Sequence, residues 1–278
     1  MKKKRKRIIL CAVLLILVIW TVWGNVTVGV TRFTVSSGRI PASFDGFRIA
    51  LISDVHDARF GENNRRLIEL IEKEKPDVIA ITGDLVDSNR TDIDAAEDLV
   101  RRLTAIAPCY YVTGNHEANI KEYPVLEQKL LSAGVIVLHN ESAEITRNGE
   151  TVRVAGLEDP DFSDISLSAE SILGARLKTM ALTDDFCILL SHRPEAFSAY
   201  VSNNVDLVLS GHAHGGQFRL PFIGGLVAPG QGLFPKYDAG QYEKDGTVMI
   251  VSRGIGNSII PVRFNNRPEI VVIELRCP

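Results

Sequence analysis

Short apolar runs in this chain end repeatedly in side chains that bind cations. Residues 47–52 lead into Asp54-Val55-His56, residues 79–82 into Gly83-Asp84, and residues 109–113 into Gly114-Asn115-His116-Glu117. Residues 186–190 lead into His192, and residues 205–209 into His212-Ala213-His214. Five of the six histidines fall at these places; only His139 does not. A lone histidine is more often a packed or surface residue than a ligand. A lone strand-end aspartate such as Asp84 more often caps a helix or ends a turn. A D-x-H pair, an H-x-H pair and three further run-end groups are hard to assign to packing. In extended chain, residues i and i+2 face the same side, so each pair can aim two groups into one crevice. In open α/β sheets that crevice lies beyond the carboxyl ends of the strands.

The donors are imidazole, carboxylate and amide oxygen, without sulfur. That set suits Mn, Fe or Zn better than Ca or Mg, which want more oxygen. With His116 set aside, Asp54, His56, Asp84, Asn115, His192, His212 and His214 exceed one tetrahedral site. With one carboxylate shared they fit two ions about 3.5–4 Å apart, as in phosphatases and nucleases. Cys11, Cys109, Cys187 and Cys277 show no C-x-x-C spacing and read as free thiols.

The elements that must position these groups alternate. Strands over 47–52, 79–82 and 109–113 are separated by helices, one capped by Asn63 or Asn64 and ending before Pro76, the next over 92–105. That is β-α-β-α-β, with parallel strands and helical crossovers. A helix over 123–132, a strand over 135–138, a strand over 152–155 and a helix over 168–182 follow. The strands over 186–190 and 205–209 precede a Gly/Pro-rich stretch that reads as a long surface loop with hairpins. Strands over 248–252 and 270–275 close the chain. Upstream, Val26, Val28 and Val30 alternate and then shift phase at Phe33, which suggests an extended strand with a bulge.

Hydrophobic residues make up 45% and charged residues 23% of the 278, an ordinary globular mix. The net charge of −3 argues against broad nucleic-acid affinity. The one strong asymmetry is at the start, where six basic residues, Lys2 to Arg7, precede an apolar run over 8–23. The run is slightly short of the ~20 residues that span a bilayer, but flanking lysines snorkel and Trp20 and Trp23 suit the interface. Cleavage of a signal peptide wants small residues where Trp20, Val22 and Trp23 stand. The segment therefore reads as an uncleaved signal anchor, 1–25, followed by one domain, 26–278. The positive-inside rule leaves the N-terminus cytoplasmic and the rest extracytoplasmic, in a single-pass membrane protein. The oligomeric state is not legible.

In order, Asp54-Val55-His56, Gly83-Asp84, Gly114-Asn115-His116-Glu117, His192 and Gly211-His212-Ala213-His214 resemble the five blocks of the calcineurin-like metallophosphoesterase superfamily. The resemblance runs from about Arg48 to the C-terminus. It is closest to a small, membrane-associated bacterial phosphodiesterase branch, which the tail segments 232–235 and 252–256 also resemble. One departure is Ala58, where many members have glycine, which puts the rim near Asp57 in question. The resemblance implies an α/β fold, a metallophosphoesterase-type β-sandwich with flanking helices. It implies one ion on Asp54, His56 and His214, the other on Asn115, His192 and His212, with Asp84 bridging. It further implies attack of a metal-activated hydroxide on phosphorus, with His116 protonating the leaving oxygen and Asp54 a candidate orienting partner. Glu117 reads as either a hydrogen-bond partner behind the ligands or a helix cap. Arg193 and Arg253 are candidate phosphate contacts outside the site proper.

The implied substrate is a phosphodiester or pyrophosphate, and an anchor favours lipid-linked ones. The superfamily includes enzymes acting on the pyrophosphate bond of UDP-diacylglucosamine, so such a lipid pyrophosphatase is an alternative. A catalytically silent, membrane-anchored binding protein of the same fold is another. Phe218, Leu220, Phe222, Ile223 and Leu226, after His214, either meet lipid or cover the sheet.

Overall fold

The apolar runs that end in candidate ligands all form strands, and these divide between two sheets. The computed structural model describes residues 2–180, 182–257 and 260–278. The chain opens with α1 (Lys2–Val26), β1 (Gly29–Ser36) and β2 (Arg48–Ile52). Then α2 (Arg65–Glu74), β3 (Val78–Thr82), α3 (Ile93–Thr104) and β4 (Cys109–Val112) alternate. A short α4 (Asn115–Ala118) and α5 (Tyr123–Ser132) precede β5 (Ile136–Val137), and β6 (Glu141–Arg147) turns back into β7 (Glu150–Gly156). Next come α6 (Ala169–Thr179), β8 (Cys187–Leu190), α7 (Phe197–Ser202) and β9 (Leu207–Ser210). Two small hairpins follow, β10 (Arg219–Leu220) with β11 (Gly224–Gly225) and β12 (Val227–Ala228) with β13 (Gly232–Leu233). β14 (Gly240–Lys244), β15 (Thr247–Val251) and β16 (Glu269–Arg276) close the chain.

One six-stranded sheet has the order β1-β16-β2-β3-β4-β5, the other β14-β15-β9-β8-β7-β6. The strands that carry the site are parallel neighbours: β2, β3 and β4 in one sheet, β8 and β9 in the other. Antiparallel pairs join β16 to β2, β14 to β15 and β6 to β7. Inward faces of the two sheets pack on each other through Leu51, Ala80, Val112, Ile188, Leu209 and Ile273. The outer face of the first sheet buries Ile52, Ile81 and Tyr111 under α2, α3 and α5. The outer face of the second buries Leu189, Val208 and Met249 under α6 and α7. The fold is therefore a mixed α/β sandwich of two sheets between helical layers. Parallel strands covered on both faces need continuous apolar sequence, and every residue of β3, β4, β8 and β9 is buried.

Some local expectations change. β1 pairs with β16 in an unbroken parallel register, so the phase shift near Phe33 is not a bulge. The helix after Asn64 forms, but Asn64 sits in a left-handed conformation without capping it; its Oδ1 accepts from Phe60 N at 2.9 Å. Helix α3 is capped as its sequence suggests, with Asp92 accepting from Ala95 N. The helix expected over 168–182 ends at Thr179, and Ala181 lies outside the described residues. Strands β6 and β14 are additions, each an edge strand in a hairpin. Their turns, Asn148-Gly149 and Asp245-Gly246, have the positive φ at both residues that tight hairpins require.

Helix α1 is long and apolar enough to cross a membrane. None of its residues is buried by the rest of the protein. Only Thr21, Gly24 and Asn25, in its last turns, are even partly covered.

Candidate metal centre

The five loops that follow β2, β3, β4, β8 and β9 meet at one edge of the sandwich. Expected extended geometry does not hold there. Asp54, His56, Asp84, His212 and His214 all have φ between 46° and 64°. Non-glycine residues in this left-handed region cost about 1–3 kcal/mol each and persist where surrounding contacts fix them. The contacts are explicit. Asp54 N donates to Gly83 O at 3.1 Å and His56 N to Asp84 O at 3.0 Å, tying the first loop to the second. His212 N donates to Asp54 Oδ1 at 2.9 Å, tying one sheet to the other. His116 N donates to Asp84 Oδ1 at 2.9 Å.

Two glycines make this approach possible. A Cβ on Gly114 would stand 2.2 Å from Asp84 Oδ1, and one on Gly211 would stand 1.8 Å from Ser53 Oγ. The same Cβ on Gly114 would stand 2.6 Å from Asp84 N, so Gly114→Ala is expected to displace the Asp84 carboxylate together with its backbone. Divalent-metal titration by calorimetry should show affinity lowered by at least the ~10–100-fold typical of disturbed outer partners. Unchanged affinity would mean Asp84 is not a ligand.

Ligand-capable side chains form one group of His56, Asp87 and His116, and two overlapping clusters of the candidate ligands. Asp54, His56, Asp84 and His214 bring ligand atoms within 4.8 Å of one another, and so do Asp84, His192 and His212. Asp84 belongs to both. His56 Nε2 lies 3.2 Å from His214 Nε2 and 3.6 Å from Asp84 Oδ2. His214 Nε2 lies 3.4 Å from Asp54 Oδ1. In the second cluster, His192 Nδ1 donates to Thr82 O at 2.7 Å, which turns Nε2 inward. That nitrogen faces Asp84 Oδ2 at 3.2 Å, Asn115 Oδ1 at 3.2 Å and His212 Nδ1 at 3.1 Å. A ring nitrogen surrounded by three acceptors is suited to a cation between them, and a carbonyl behind the imidazole is the usual partner of a metal-binding histidine. His56 Nδ1 is buried without a hydrogen-bond partner. Histidine, carboxylate and amide donors in this number fit divalent transition metals, so the buried Asp/His group can hold two.

The electrostatics agree. Burial pushes His56 down to about 4, against the pull of Asp84. Burial also holds His212 and His214 well below their ordinary values, helped at His212 by Arg193 and at His214 by His56 and Arg263. Neutral imidazole is the form that binds metal. Burial alone would raise the Asp84 carboxyl, but the His192 and His56 rings outweigh it and hold Asp84 well below the usual range. His192 goes the other way: burial would lower it, yet Asp84 and Asp54 raise it to about 10, so a proton occupies this ring that a bound cation must displace. The pocket's field thus favours positive charge.

His116 is buried beside this group, its ring centroid 4.4 Å from that of His56. Its Nδ1 accepts from Ser88 N at 2.9 Å. Asp54, the expected orienting partner, instead accepts from the His212 backbone. His139 stays apart, between Glu158 and Glu127, whose hydrogen bonds raise it to about 9. All four cysteines are free.

Four further residues support the ligands, of which the sequence singled out Glu117 and Arg193 but not Asp87 or Arg263. Glu117 is fully buried, accepting from Asp84 N at 2.8 Å, Gly114 N at 2.7 Å and Leu85 N at 2.7 Å. Burial and the Asp84 charge push its carboxyl up to about 7 against those bonds. Asp87, also buried, brings Oδ2 to 4.0 Å from His56 Nδ1. Arg193 is held by Asp159 through Nε and Nη2 at 2.7 and 2.8 Å, and its Nη1 lies 3.2 Å from His212 Nε2. Arg263, almost wholly buried, brings Nη2 to 3.4 Å from His214 Nδ1 and donates to the carbonyls of Gly256 and Arg253. Arg253 itself is paired with Glu269. Glu117 is itself a motif position, Arg193 directly follows His192 and Asp87 stands three residues after Asp84, whereas Arg263 had no local signal.

The family model for calcineurin-like phosphoesterases matches residues 47–216, which contain every candidate ligand. The chain belongs to the calcineurin-like metallophosphoesterases. This metallophosphoesterase is similar to the uncharacterized metallophosphoesterase YkuE of Bacillus subtilis (strain 168), 34% identical over 88% of this chain and 85% of that one. It is 28% identical to the phosphodiesterase YaeI of Escherichia coli (strain K12), over 82% of each chain. A transmembrane protein with metallophosphoesterase domain from Danio rerio is 29% identical over 86% of this chain and 55% of that protein. Among solved structures, TT1561 of Thermus thermophilus matches with a TM-score of 0.52 and 18% identity, over 75% of this chain and 89% of that one. That likeness supports the fold. The metallophosphoesterase family and the buried Asp/His group together make the chain a metal-binding phosphoesterase-type hydrolase.

Proposed function

We propose that the chain is a membrane-anchored, two-metal phosphoesterase acting on phosphodiester or pyrophosphate bonds. The observation that carries this reading is the Asp84 carboxylate, common to both ligand clusters. Asp54, His56 and His214 hold one ion, and Asn115, His192 and His212 the other, with Asp84 shared. Mn, Fe and Zn suit the donors. When bound, such a pair of cations lowers the pKa of a coordinated water and neutralises charge on phosphoryl oxygens. The protein's own part is to fix the geometry. Asp54 orients the His212 backbone, Thr82 O sets the His192 ring, and Glu117 holds the chain at Asp84. A cleft of about 480 Å³ lined in part by His56, Asp57, Arg59, Asp87, Arg90 and Asp92 opens beside the ligands; Arg59 is paired with Asp92, which leaves Arg90 as the cation facing it. Diester cleavage is supported by the similarity to a relative named a phosphodiesterase.

His116 supplies the proton to the leaving oxygen. Its Nδ1 accepts from Ser88 N, so the neutral ring carries its proton on Nε2, where it can be given up. His116→Ala should keep both metals by elemental analysis. It should lose ~10²–10⁴-fold on an alkyl phosphoester and far less on a p-nitrophenyl ester, whose leaving group needs little protonation. Loss of a metal in this variant would contradict the assignment.

Residues 1–25 anchor the domain formed by 26–278. The basic cluster in the first turns of α1 leaves the N-terminus cytoplasmic and the catalytic domain outside. Hydrolysis of bis-p-nitrophenyl phosphate with added Mn²⁺, inhibited by vanadate, tests the reaction class. No turnover with any divalent metal would leave a binding protein instead.

A further inference from the structure

Helix α1 leaves the body of the protein at a fixed point. Asn25 Nδ2 donates to Arg263 O at 2.8 Å, and Arg263 N donates back to Asn25 Oδ1 at 2.8 Å. The Arg267 guanidinium stands 4.7 Å from the Trp23 ring. One residue on from Arg263, Phe264 O accepts from Arg219 N at 3.0 Å, and Phe264 N donates to Gln217 O. The β10–β11 hairpin starts there. Its tip, three residues from Arg219, is within about 10 Å of that bond by strand rise.

Exposed apolar side chains concentrate at this place. Phe222 is completely exposed, and Leu233, Phe234 and Ile223 are each more than 60% exposed. The second hairpin is tied to the first, with Phe234 N donating to Leu226 O at 2.9 Å. Ile260 and Val262, also exposed, flank the Gln217 amide, which donates to both of their carbonyls. Outside α1 and this face, the exposed large apolar side chains among the described residues are Val125, Leu131, Ile136, Ile165 and Leu167, spread over other elements. Large contiguous apolar surface marks a contact site.

The same face is cationic. A cavity of about 120 Å³ lies between the last turns of α1 and this segment, lined in part by Trp20, Trp23, Arg253, Arg263 and Arg267, with no acidic side chain in its wall. Arg263 and Arg267 have no carboxylate partner among the described residues, and Arg267 Nε is buried without an acceptor. Tryptophans beside arginines at the end of an apolar helix mark the headgroup level.

We propose that this face, made of the end of α1, residues 260–267 and the two hairpins, docks on the outer leaflet. The hairpin tips enter the leaflet, and the arginine cavity takes the phosphate of an anionic phospholipid. The proposal rests on the anchoring reading above and deepens it. The headgroup zone is roughly 5–8 Å deep on each side of a bilayer, so a tip within about 10 Å of the helix exit reaches it. Arg263 touches both this cavity and His214. The ligand cluster therefore stands at the leaflet surface, where lipid-linked phosphoesters are presented.

The test uses the full chain in nanodiscs of phosphatidylcholine, with or without phosphatidylglycerol. An environment-sensitive maleimide dye is placed at Phe222→Cys or, as a control, at Val125→Cys, with Cys11 and Cys277 replaced by serine. Native Cys11 is labelled separately to report α1. The expected result is that spin-labelled lipid quenches the dye at 222 and at Cys11 several-fold more than at 125. Quenching at Cys11 without quenching at 222 would overturn the docking face alone. No quenching at either would overturn the anchor with it. Quenching at 222 replaced by dimer formation would assign the tips to a second copy. For the arginine cavity, Arg267→Gln should retain about fivefold less phosphatidylglycerol than the native chain in mixed discs, as read by native mass spectrometry. Equal retention, or displacement by inorganic phosphate alone, would refute the lipid site. None of these readouts requires turnover, so they stand apart from the hydrolysis assay.

Discussion

Asp84→Asn should abolish hydrolysis and leave the protein with at most one tightly held ion. The carboxylate is the single group shared by the two clusters, with Oδ2 3.2 Å from His192 Nε2 and 3.6 Å from His56 Nε2. Its other oxygen accepts from His116 N. Asparagine keeps the size and one acceptor, so the fold survives. It removes the negative charge that offsets two cations in a buried site, and it places an amide N–H where a ligand is needed. The loss in rate should exceed the ~10–100-fold that outer partners of metal ligands give. Elemental analysis and bis-p-nitrophenyl phosphate turnover check both parts. A variant that keeps two ions and substantial activity would remove Asp84 from the centre of the site.

Glu117→Gln should be the most damaging change at a residue that touches no ligand atom of its own. Its two oxygens accept backbone N–H groups, Oε2 from Gly114 and Asp84 and Oε1 from Leu85 and Val86, just past the ends of β3 and β4. A glutamine amide can accept at one oxygen only and turns its NH₂ against another donor. One or two buried N–H groups then lose their partner, at about 1–3 kcal/mol each. Thermal and urea unfolding should show a destabilisation of about 2–4 kcal/mol, and metal affinity should fall because the Asp84 backbone is no longer fixed. Native stability in Glu117→Gln would mean that water or a shifted backbone replaces these bonds, and that Glu117 is only a helix cap.

The strand-end groups were legible because each follows a short apolar run that must be buried on both faces, as β3 and β8 are. The spacing did not reveal that Asp54, His56, His212 and His214 reach the centre through left-handed backbone. Nor did it separate the two sheets. The βαβ pattern is the same in both, and the edge strands β6 and β14 carry mostly polar sequence and meet the core only through Ala143, Ile145 and Tyr242. Their Asn-Gly and Asp-Gly turns were the available signal. The roles of Asp159 and Arg263 depend on contacts to Arg193 and His214, 34 and 49 positions away, and no local period encodes such pairs. Glu117 closes its motif, but its burial against the Asp84 backbone is a tertiary fact.

Anomalous diffraction at the manganese edge from crystals of the full chain tests the central claim most directly. Two peaks about 3.5–4 Å apart, with the Asp84 carboxylate between them, are expected. Asp54, His56 and His214 should surround one, and Asn115, His192 and His212 the other. A single peak, or a pair to which Asp84 contributes no oxygen, would contradict it.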